Sequence, residues 1–303
     1  MQLVTYRHAD AAQDRIGVLD GDGVIDLTAA VEPASDLERE IRAGRGMCGL
    51  LAAGDAGLAL ARAAQSGGAA PPVPMAEVTL RAPLPRPNSM RDFMLVEEHV
   101  RNSLGHVPDE WYEIPVYWKG NCDTVFGPED IVPWPSYTDK LDYELEVGAI
   151  IGRRAYRVDA EQAAGCIAGY TIFNDWSARD IQFREMKVGL GPGLGKDFAT
   201  SLGPCITTAD AIDINTAAMS ARVNGETWSE GTLGSMRFSF CEVIAHLSQE
   251  QPLQPGDVLG SGTVGRGCGL EIDRWLQPGD LVELEVEGIG ILRNRVGQRP
   301  ATG

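Results

Sequence analysis

The segment LDYELEVGAIIG, residues 141–152, places three acids at alternate positions and then continues as an apolar run. Because side chains alternate between the two faces of a β-strand, Asp142, Glu144 and Glu146 would share one face. A half-exposed strand with a polar outer face would explain this alternation by itself. The following VGAIIG is apolar at every position, however, which indicates that the strand enters the interior. Buried carboxylates repel one another unless a cation compensates them, and their oxygens are ligands that Mg²⁺, Mn²⁺ and Ca²⁺ prefer.

The composition is that of a globular protein, with 303 residues of which 44% are apolar and 23% charged. The net charge of −17 argues against binding to nucleic-acid phosphates and to anionic membrane surfaces. Six scattered cysteines without a CxxC pair indicate reduced thiols rather than a disulfide framework or a zinc site. The start lacks a signal-peptide layout, and no apolar run reaches the roughly 18 residues of a membrane helix, so we expect a cytoplasmic protein.

The chain divides by pattern into a short first segment and a longer second one. Residues 1–30 contain short strand-like runs, residues 37–65 are rich in Ala and Leu like helices, and the Gly- and Pro-rich stretch SGGAAPPVP follows. We therefore predict a small N-terminal α+β domain over residues 1–78 and a larger domain over residues 79–303. The second segment has many strand-like runs and few helical ones, so the expected fold class is α+β and β-rich, a roll or barrel with a few helices.

Two further motifs carry polar groups that could join the acids. In YTIFNDWSARDIQ, residues 170–182, Asp175 follows an apolar strand and would either cap a helix or supply a third carboxylate. GLGPGLGKDFATSLGP, residues 189–204, fails the spacing of a phosphate-binding loop because Asp197 follows Lys196. It is either a flexible loop or one that presents Lys196 and backbone groups to an anionic ligand.

The chain has only four histidines, which narrows the choice of a histidine base. His99 lies seven residues after Asp92 in DFMLVEEHVRNS, a helical pattern. It is either an ordinary helix-surface residue or a general base, and catalysis would require a neighbouring carboxylate to orient it. Neither a G-x-S-x-G elbow nor a dinucleotide G-x-G-x-x-G in a βαβ context is present.

The motifs DYELE, NDWSARDIQ and LGPGLGKDFATSLGP occur in that order, with DF-x5-H upstream and GSGTVG downstream. Together they resemble the fumarylacetoacetate hydrolase superfamily over about residues 80–297. The resemblance implies a mixed β-roll or β-sandwich catalytic domain, a small N-terminal domain and a homodimer. It also implies a divalent metal, Mg²⁺ first with Mn²⁺ or Ca²⁺ as alternatives, and a role in the catabolism of aromatic compounds.

The resemblance assigns metal ligands position by position. Glu144 and Glu146 match the two ligands on the strand, and Asp175 matches the third carboxylate. Asp92 matches an additional aspartate ligand that the animal enzyme has and that smaller bacterial relatives lack. Asp142 has no ligand role in this match and stays a strand-start or hydrogen-bonding acid.

The resemblance also implies catalytic and substrate-contacting residues. His99 matches the catalytic histidine, and Glu271 in CGLEID matches its glutamate partner. Smaller relatives carry that glutamate three residues after the histidine, where this chain has Asn102. Lys196 and Thr200 match a lysine and a threonine beside the metal, and Gln182 and Thr263 match substrate contacts. Arg179 matches the motif's arginine, which is either a pairing residue or a substrate contact.

Three positions depart from the animal enzyme, in which two tyrosines and an arginine contact the substrate. This chain has Met94, Met186 and Pro108 there, so we expect a substrate other than fumarylacetoacetate. The segment SLGHVPDEWYEIPVYWKG would form a lid and a strand. Four of its side chains either pack together or line the replacement pocket as substrate contacts: Trp111, Tyr112, Trp118 and Lys119.

The expected activity is a metal-dependent hydrolase that cleaves a carbon–carbon bond in a 1,3-dicarbonyl acid of the acylpyruvate type, with water activated by His99 and Glu271. A hydratase, an isomerase or an oxaloacetate-type decarboxylase would use the same residues on a related 2-oxo acid. A small-acid binding protein without catalysis is a further alternative, which the intact set of site residues disfavours. The expected partner is a dicarboxylic or 2-oxo acid, and neither nucleic acid nor a membrane.

Overall fold

The computed structural model describes residues 1–67 and 71–300. Residues 68–70, in the middle of the Gly- and Pro-rich stretch, and residues 301–303 lie outside the described part. The α-helices of the described part are α1 (Asp36–Arg42), α2 (Gly46–Ala52), α3 (Asp55–Gly67), α4 (Glu97–Leu104), α5 (Ala160–Ala164), α6 (Arg179–Met186), α7 (Phe240–Leu247) and α8 (Gly269–Ile272). Its strands are β1 (Gln2–His8), β2 (Arg15–Asp20), β3 (Gly23–Asp26), β4 (Val73–Pro74), β5 (Val78–Leu80), β6 (Ser89–Phe93), β7 (Tyr117–Gly120), β8 (Val125–Phe126), β9 (Ile131–Val132), β10 (Leu141–Asp142), β11 (Glu146–Ile151), β12 (Ile167–Asp175), β13 (Ser177–Ala178), β14 (Thr200–Thr208), β15 (Met219–Val223), β16 (Glu226–Gly231), β17 (Asp257–Gly260), β18 (Leu281–Val286) and β19 (Gly290–Val296).

Three of the described helices begin where short polar side chains satisfy free backbone N–H groups. Ser35 caps α1, and Asp159 and Ser239 form capping boxes at α5 and α7. No single helix of residues 1–67 or 71–300 has the length and apolarity to cross a membrane, although α2 and α3, which meet at 112°, pass that test together.

The strands form three sheets. The largest has the order β4-β3-β2-β1-β14-β12-β11-β17-β6-β7, with β5 paired to β1 and β8 paired to β14. A second sheet has the order β16-β15-β18-β19-β9, and β10 pairs with β13. The predicted α+β, β-rich fold class is therefore confirmed.

The large sheet includes strands from both predicted domains. Gln2 of β1 pairs with Thr207 of β14, and Leu3 pairs with Ile206. Backbone hydrogen bonds thus join the first segment to the second across the boundary expected at residue 78, and that boundary stays a prediction.

Five strands of the large sheet meet at one edge. β11 begins with Glu146, and its antiparallel neighbour β12 ends with Asp175. Asp175 lies opposite Thr200, the first residue of β14. On the other side of β11, Gly260 ends β17 and pairs with Asp92 of the parallel strand β6. The sheet therefore brings acids that are distant in the chain to one place.

Strand β11 is buried on both faces. Val147, Ala149 and Ile151 belong to one apolar core, and Ile150 belongs to a second. The three acids of the surrounding segment are at most 3% exposed. The half-exposed alternative for this segment is therefore wrong, and its carboxylates need partners inside the protein.

Candidate active site

A cavity of about 360 Å³ opens at this edge of the large sheet. Its lining comes from β6, β7, α4 and α6, from the start of β11 and from the glycine-rich loop before Lys196. The lining combines a cluster of carboxylates and cations with many apolar side chains, which is typical of small-molecule sites. The residues of the lining that the sequence predicted as site residues are Asp92, His99, Glu144, Glu146, Arg179, Gln182, Lys196 and Thr263.

Three carboxylates come together in this cavity. One oxygen from each of Asp92, Glu144 and Glu146 lies within 4.8 Å of the others, and all three side chains are buried. Glu146 accepts hydrogen bonds from the backbone N–H of Gly262 at 3.1 Å and from Thr263 Oγ1 at 3.2 Å. These bonds orient one member of the cluster, and the sheet edge positions the others.

Two buried cations contact Glu144. Lys196 Nζ lies 2.6 Å from its Oε2, and Arg179 Nη2 lies 2.7 Å from its Oε1. Burial opposes ionisation, but these two charges outweigh it and hold the pKa of Glu144 well below its usual range. Burial also disfavours the charged lysine, yet the carboxylates of Asp175 and Glu144 raise the pKa of Lys196. Glu144 and Lys196 are therefore a charged pair inside the protein.

The other carboxylates are not neutralised by protein cations alone. Burial, and then the carboxylates of Asp92 and Glu144, raise the pKa of Glu146 well above its usual range. Burial also raises the pKa of Asp92 and of Asp175, in spite of the nearby Lys196 charge. Asp92 Oδ1 and Asp175 Oδ1 are buried without a hydrogen-bond partner in the described part of the chain. This oxygen-rich, under-compensated donor set fits a divalent cation.

Asp175 lies differently from the other three acids. Its Oδ2 accepts a hydrogen bond from Lys196 Nζ at 2.5 Å, and it is outside the group whose oxygens lie within 4.8 Å. Asp92, which the resemblance ranked below it, is inside that group. The N-cap alternative for Asp175 is wrong, because Ala178 occupies the N-cap position of α6.

His99 on α4 lies between a carboxylate partner and the acid cluster. Its Nδ1 is 2.9 Å from Glu271 Oε2, and its Nε2 is 4.0 Å from Glu144 Oε1. Glu271 also accepts hydrogen bonds from Asn102 Nδ2 at 2.9 Å and from the backbone N–H of Arg266 at 3.1 Å. Although burial opposes ionisation, the contact with His99 lowers the pKa of Glu271. A carboxylate that accepts from Nδ1–H leaves Nε2 as a proton acceptor on the side of the cluster.

Asp142, to which the resemblance gave no role, links two parts of the site. Its Oδ2 accepts from Arg179 Nε at 2.8 Å. Its Oδ1 accepts from the backbone N–H of Gly269 at 2.7 Å, and its Oδ2 accepts from that of Leu270 at 3.0 Å. Both residues lie in the first turn of α8, the helix that carries Glu271. Asp142 thus joins a cation of the cluster to the helix that holds the histidine's partner.

We expect Asp142→Asn to lower the free energy of unfolding by about 2–4 kcal/mol. The neutral amide leaves the buried Arg179 charge less compensated and cannot accept hydrogen bonds at both of its terminal atoms. Urea unfolding would measure this effect, with Asp139→Asn as the control because Asp139 is exposed and its ion pair contributes little. An unchanged unfolding midpoint for D142N would contradict the linking role.

Two glycines of the GSGTVG motif make room for the cluster. A Cβ at Gly260 would lie 2.2 Å from Asp92 Oδ1, so no larger residue fits without moving that carboxylate. Gly262 has a φ of +74°, in the left-handed region that favours glycine, and its N–H faces Glu146. The motif therefore supports the acids although it supplies none.

Gly260→Ala is expected to weaken Mn²⁺ binding by about 10- to 100-fold, the range found when groups that orient metal ligands are changed. Calorimetric titration with Mn²⁺ would measure the change. Gly165→Ala is a suitable control, because Gly165 has a φ of −73° and an added Cβ there would have no neighbour closer than 3.5 Å. Equal affinity in the wild type and G260A would show that Asp92 does not take part.

The glycine-rich loop is fastened by Glu185 of α6. The Glu185 carboxylate accepts hydrogen bonds from the backbone N–H groups of Gly193 at 2.8 Å, Leu194 at 2.9 Å and Gly195 at 3.0 Å. These charge-assisted bonds hold the chain just before Lys196. The loop was predicted to present backbone groups to an anionic ligand, but these N–H groups already donate to Glu185.

The structure places Arg179 as a pairing residue and Lys119 outside the cavity. Arg179 is 2% exposed, and its guanidinium donates to two buried carboxylates and to Gln182 Oε1. It therefore serves the cluster and is not free to bind a substrate carboxylate. Lys119 is exposed and does not line the cavity, although Tyr117 and Trp118 of the same strand do.

Some of the other predicted pocket residues line the cavity and some do not. Tyr112 does not line the cavity, and Thr200 is buried in β14. The predicted pocket residues that do line the cavity are Met94, Pro108, Trp111, Trp118 and Met186.

Sequence reasoning missed two neighbours of the histidine–glutamate pair. Ser103 Oγ lies 3.4 Å from His99 Nδ1, and Cys268 Sγ lies 3.4 Å from Glu271 Oε2. Ser103 follows His99 by four residues, one helical turn, and that spacing was the available signal. Cys268 had no comparable signal.

Comparison with known proteins identifies the family of this chain. The family model described as fumarylacetoacetate (FAA) hydrolase C-terminal matches residues 90–297. Oxaloacetate tautomerase FAHD2A, mitochondrial, of Homo sapiens is 32% identical over 303 residues, which cover 98% of this chain and 91% of that protein.

Two solved structures are similar over nearly the whole chain. A putative HpcE protein from Mycobacterium smegmatis has a TM-score of 0.79 at 29% identity, covering 99% of this chain and 100% of that one. Maleylpyruvate hydrolase from Sphingobium sp. SYK-6, in complex with manganese (II) ion and pyruvate, has a TM-score of 0.75 at 25% identity with the same coverage. As its ordered motifs predicted, the chain belongs to the fumarylacetoacetate hydrolase superfamily.

Proposed function

We propose that this protein is a metal-dependent hydrolase that cleaves a carbon–carbon bond in a 1,3-dicarbonyl acid of the acylpyruvate type. The observation that carries the proposal is the position of His99. Its Nδ1 is held by Glu271 at 2.9 Å, and its Nε2 faces Glu144 at 4.0 Å, beside a cluster that fits a divalent cation. A base in this position is suited to take a proton from water next to the cluster.

The ligands for the cation would be Asp92, Glu144, Glu146 and Asp175. We propose Mg²⁺ as the physiological ion, since the donors are all carboxylate oxygens. Mn²⁺ is the alternative, supported by the manganese complex of the similar maleylpyruvate hydrolase. A divalent ion bound here would polarise the oxygens of a 2-oxo acid and offset their negative charge.

The protein's own groups account for the proton transfers. His99 Nε2 accepts a proton from water while Glu271 keeps Nδ1–H oriented. The hydroxide adds to the carbonyl carbon that is farther from the carboxylate. The bond from that carbon to the neighbouring CH₂ then breaks, and its electron pair passes into the enolate of pyruvate. Return of the proton from His99 to the CH₂ carbon yields pyruvate and a second acid.

Lys196 would act on charge rather than on protons. It lies in the cavity lining and is charged, with Nζ between Glu144 and Asp175. A fixed positive charge in a buried site stabilises negative charge that develops on substrate oxygens, without reorganisation during the reaction.

A second candidate is the tautomerisation of a small 2-oxo acid. It is favoured by the oxaloacetate tautomerase of Homo sapiens, which is 32% identical over 98% of this chain. The same histidine would then move a proton between the carbon next to the carbonyl and the carbonyl oxygen, and no bond between carbons would break.

Measuring products separates the candidates. We expect the protein with Mg²⁺ or Mn²⁺ to convert a panel of acylpyruvates to equal amounts of pyruvate and a second acid, with loss of the activity in a chelator and return on adding metal. Interconversion of the keto and enol forms of oxaloacetate, without cleavage of any acylpyruvate, would favour the tautomerase. No turnover of either class would favour a small-acid binding protein.

A further inference from the structure

The cavity has a polar end, where the metal site and the histidine lie, and a large apolar lining whose occupant the proposed function leaves open. We propose that this lining binds an uncharged, apolar acyl tail, so that the substrate is a monocarboxylic acylpyruvate and not a dicarboxylic one. The inference rests on the proposed function, which places the pyruvoyl head of the substrate at the acid cluster.

The first argument is the chemistry of the lining. Most of the cavity surface away from the cluster is formed by aromatic, aliphatic and thioether side chains. Examples from different parts of the chain are Phe93, Met94, Leu104, Trp111, Phe183 and Met186. Binding an apolar group to such a surface is favourable because the group is removed from water. A carboxylate bound there would lose its hydration without compensation.

The second argument is that the basic side chains of the cavity are already paired. Arg179 and Lys196 both contact Glu144, at 2.7 and 2.6 Å, and His99 contacts Glu271 at 2.9 Å. Within residues 1–67 and 71–300, no other Lys, Arg or His lines the cavity. A second carboxylate on the substrate would therefore enter without a cation to receive it.

The third argument concerns the sign of the remaining charge. Glu110 lines the cavity and is exposed, so it places a negative charge near the opening. The protein as a whole carries a net charge of −17. Both features repel an anionic tail, whereas the pyruvoyl carboxylate at the other end would have the metal site.

Two acylpyruvates that differ only at the far end test the inference: benzoylpyruvate and 4-carboxybenzoylpyruvate. With the Mn²⁺-loaded protein we expect benzoylpyruvate to bind and to be cleaved about 100-fold better, because the second acid must lose hydration against an apolar wall. Calorimetry gives the binding preference, and release of pyruvate gives kcat/KM. Equal or tighter binding of the carboxylated acid would overturn the inference.

The two measurements separate this inference from the proposed function. Tighter binding of benzoylpyruvate without cleavage of either acid would overturn the hydrolase and support the apolar pocket. Cleavage of both acids at equal kcat/KM would support the hydrolase and overturn the apolar pocket.

A matched pair of variants tests the charge argument directly. Val116 lines the cavity and is 57% exposed, so Val116→Arg adds a cation at the opening without burying it. Ile114, 47% exposed and outside the lining, supplies the control Ile114→Arg. We expect V116R to reduce the preference for benzoylpyruvate about five-fold and I114R to leave it unchanged. An unchanged preference in a folded V116R would contradict the inference that missing positive charge excludes the second carboxylate.

Discussion

Replacing His99 with alanine is expected to lower kcat for carbon–carbon cleavage by about 10²–10⁴-fold, the range of a lost general base. The reason is geometric: Nε2 is the proton acceptor that faces the acid cluster, and Glu271 can orient it only through Nδ1. The carboxylates of the metal site are untouched, so Mn²⁺ affinity should stay within a few-fold of the wild type.

The control for this change is His106→Ala. His106 is exposed, lies just beyond the end of α4, and its Nδ1 is 3.3 Å from the carbonyl oxygen of Leu104. H106A should keep full activity. Normal cleavage by H99A would rule out His99 as the base, and loss of Mn²⁺ binding in H99A would mean that its effect comes through the metal site.

Replacing Lys196 with methionine is expected to lower the free energy of unfolding of the metal-free protein by about 3–5 kcal/mol. Lys196 Nζ lies 2.6 Å from Glu144 and 2.5 Å from Asp175, and its removal leaves the buried Asp175 without its cation and Glu144 with Arg179 alone. Removing one partner of a buried ion pair costs much more than the net stabilisation by the pair.

Urea unfolding with and without Mn²⁺ would test whether the loss of stability comes from uncompensated carboxylates. Because the cation would compensate the same carboxylates, the stability difference between K196M and the wild type should be smaller at saturating Mn²⁺. Lys187→Met is the control, since Lys187 is exposed just after α6. A metal-free K196M as stable as the wild type would show that the carboxylates are compensated in another way.

The acids of residues 141–152 show how far local pattern reaches. Alternation predicted that the three side chains share a face, and the apolar continuation predicted burial, which the structure bears out. The pattern did not distinguish their roles. Glu144 and Glu146 join Asp92 in the cluster, whereas Asp142 binds Arg179 and the first turn of α8.

Arg179 and Lys119 show that the sequence did not predict the contacts of individual side chains. Both were predicted as substrate contacts, with pairing as the alternative for Arg179 and packing as the alternative for Lys119. In the structure the Arg179 guanidinium pairs with buried carboxylates, and Lys119 is exposed outside the cavity that Trp118 lines. The sequence therefore shows the chemical nature of a side chain, but it does not show which group that side chain contacts.

Motifs and residue chemistry were sufficient to predict the superfamily, the β-rich class and the kinds of groups in the site, because these can be recognised without knowing the contacts between distant residues. The three-dimensional fold was needed to show which of those groups meet. His99 and Glu271 are 172 residues apart, and Asp92 and Glu146 come from strands that are not consecutive in the chain. Their distances depend on strand register and on helix packing against the sheet edge, and cooperative contacts along the whole chain set both.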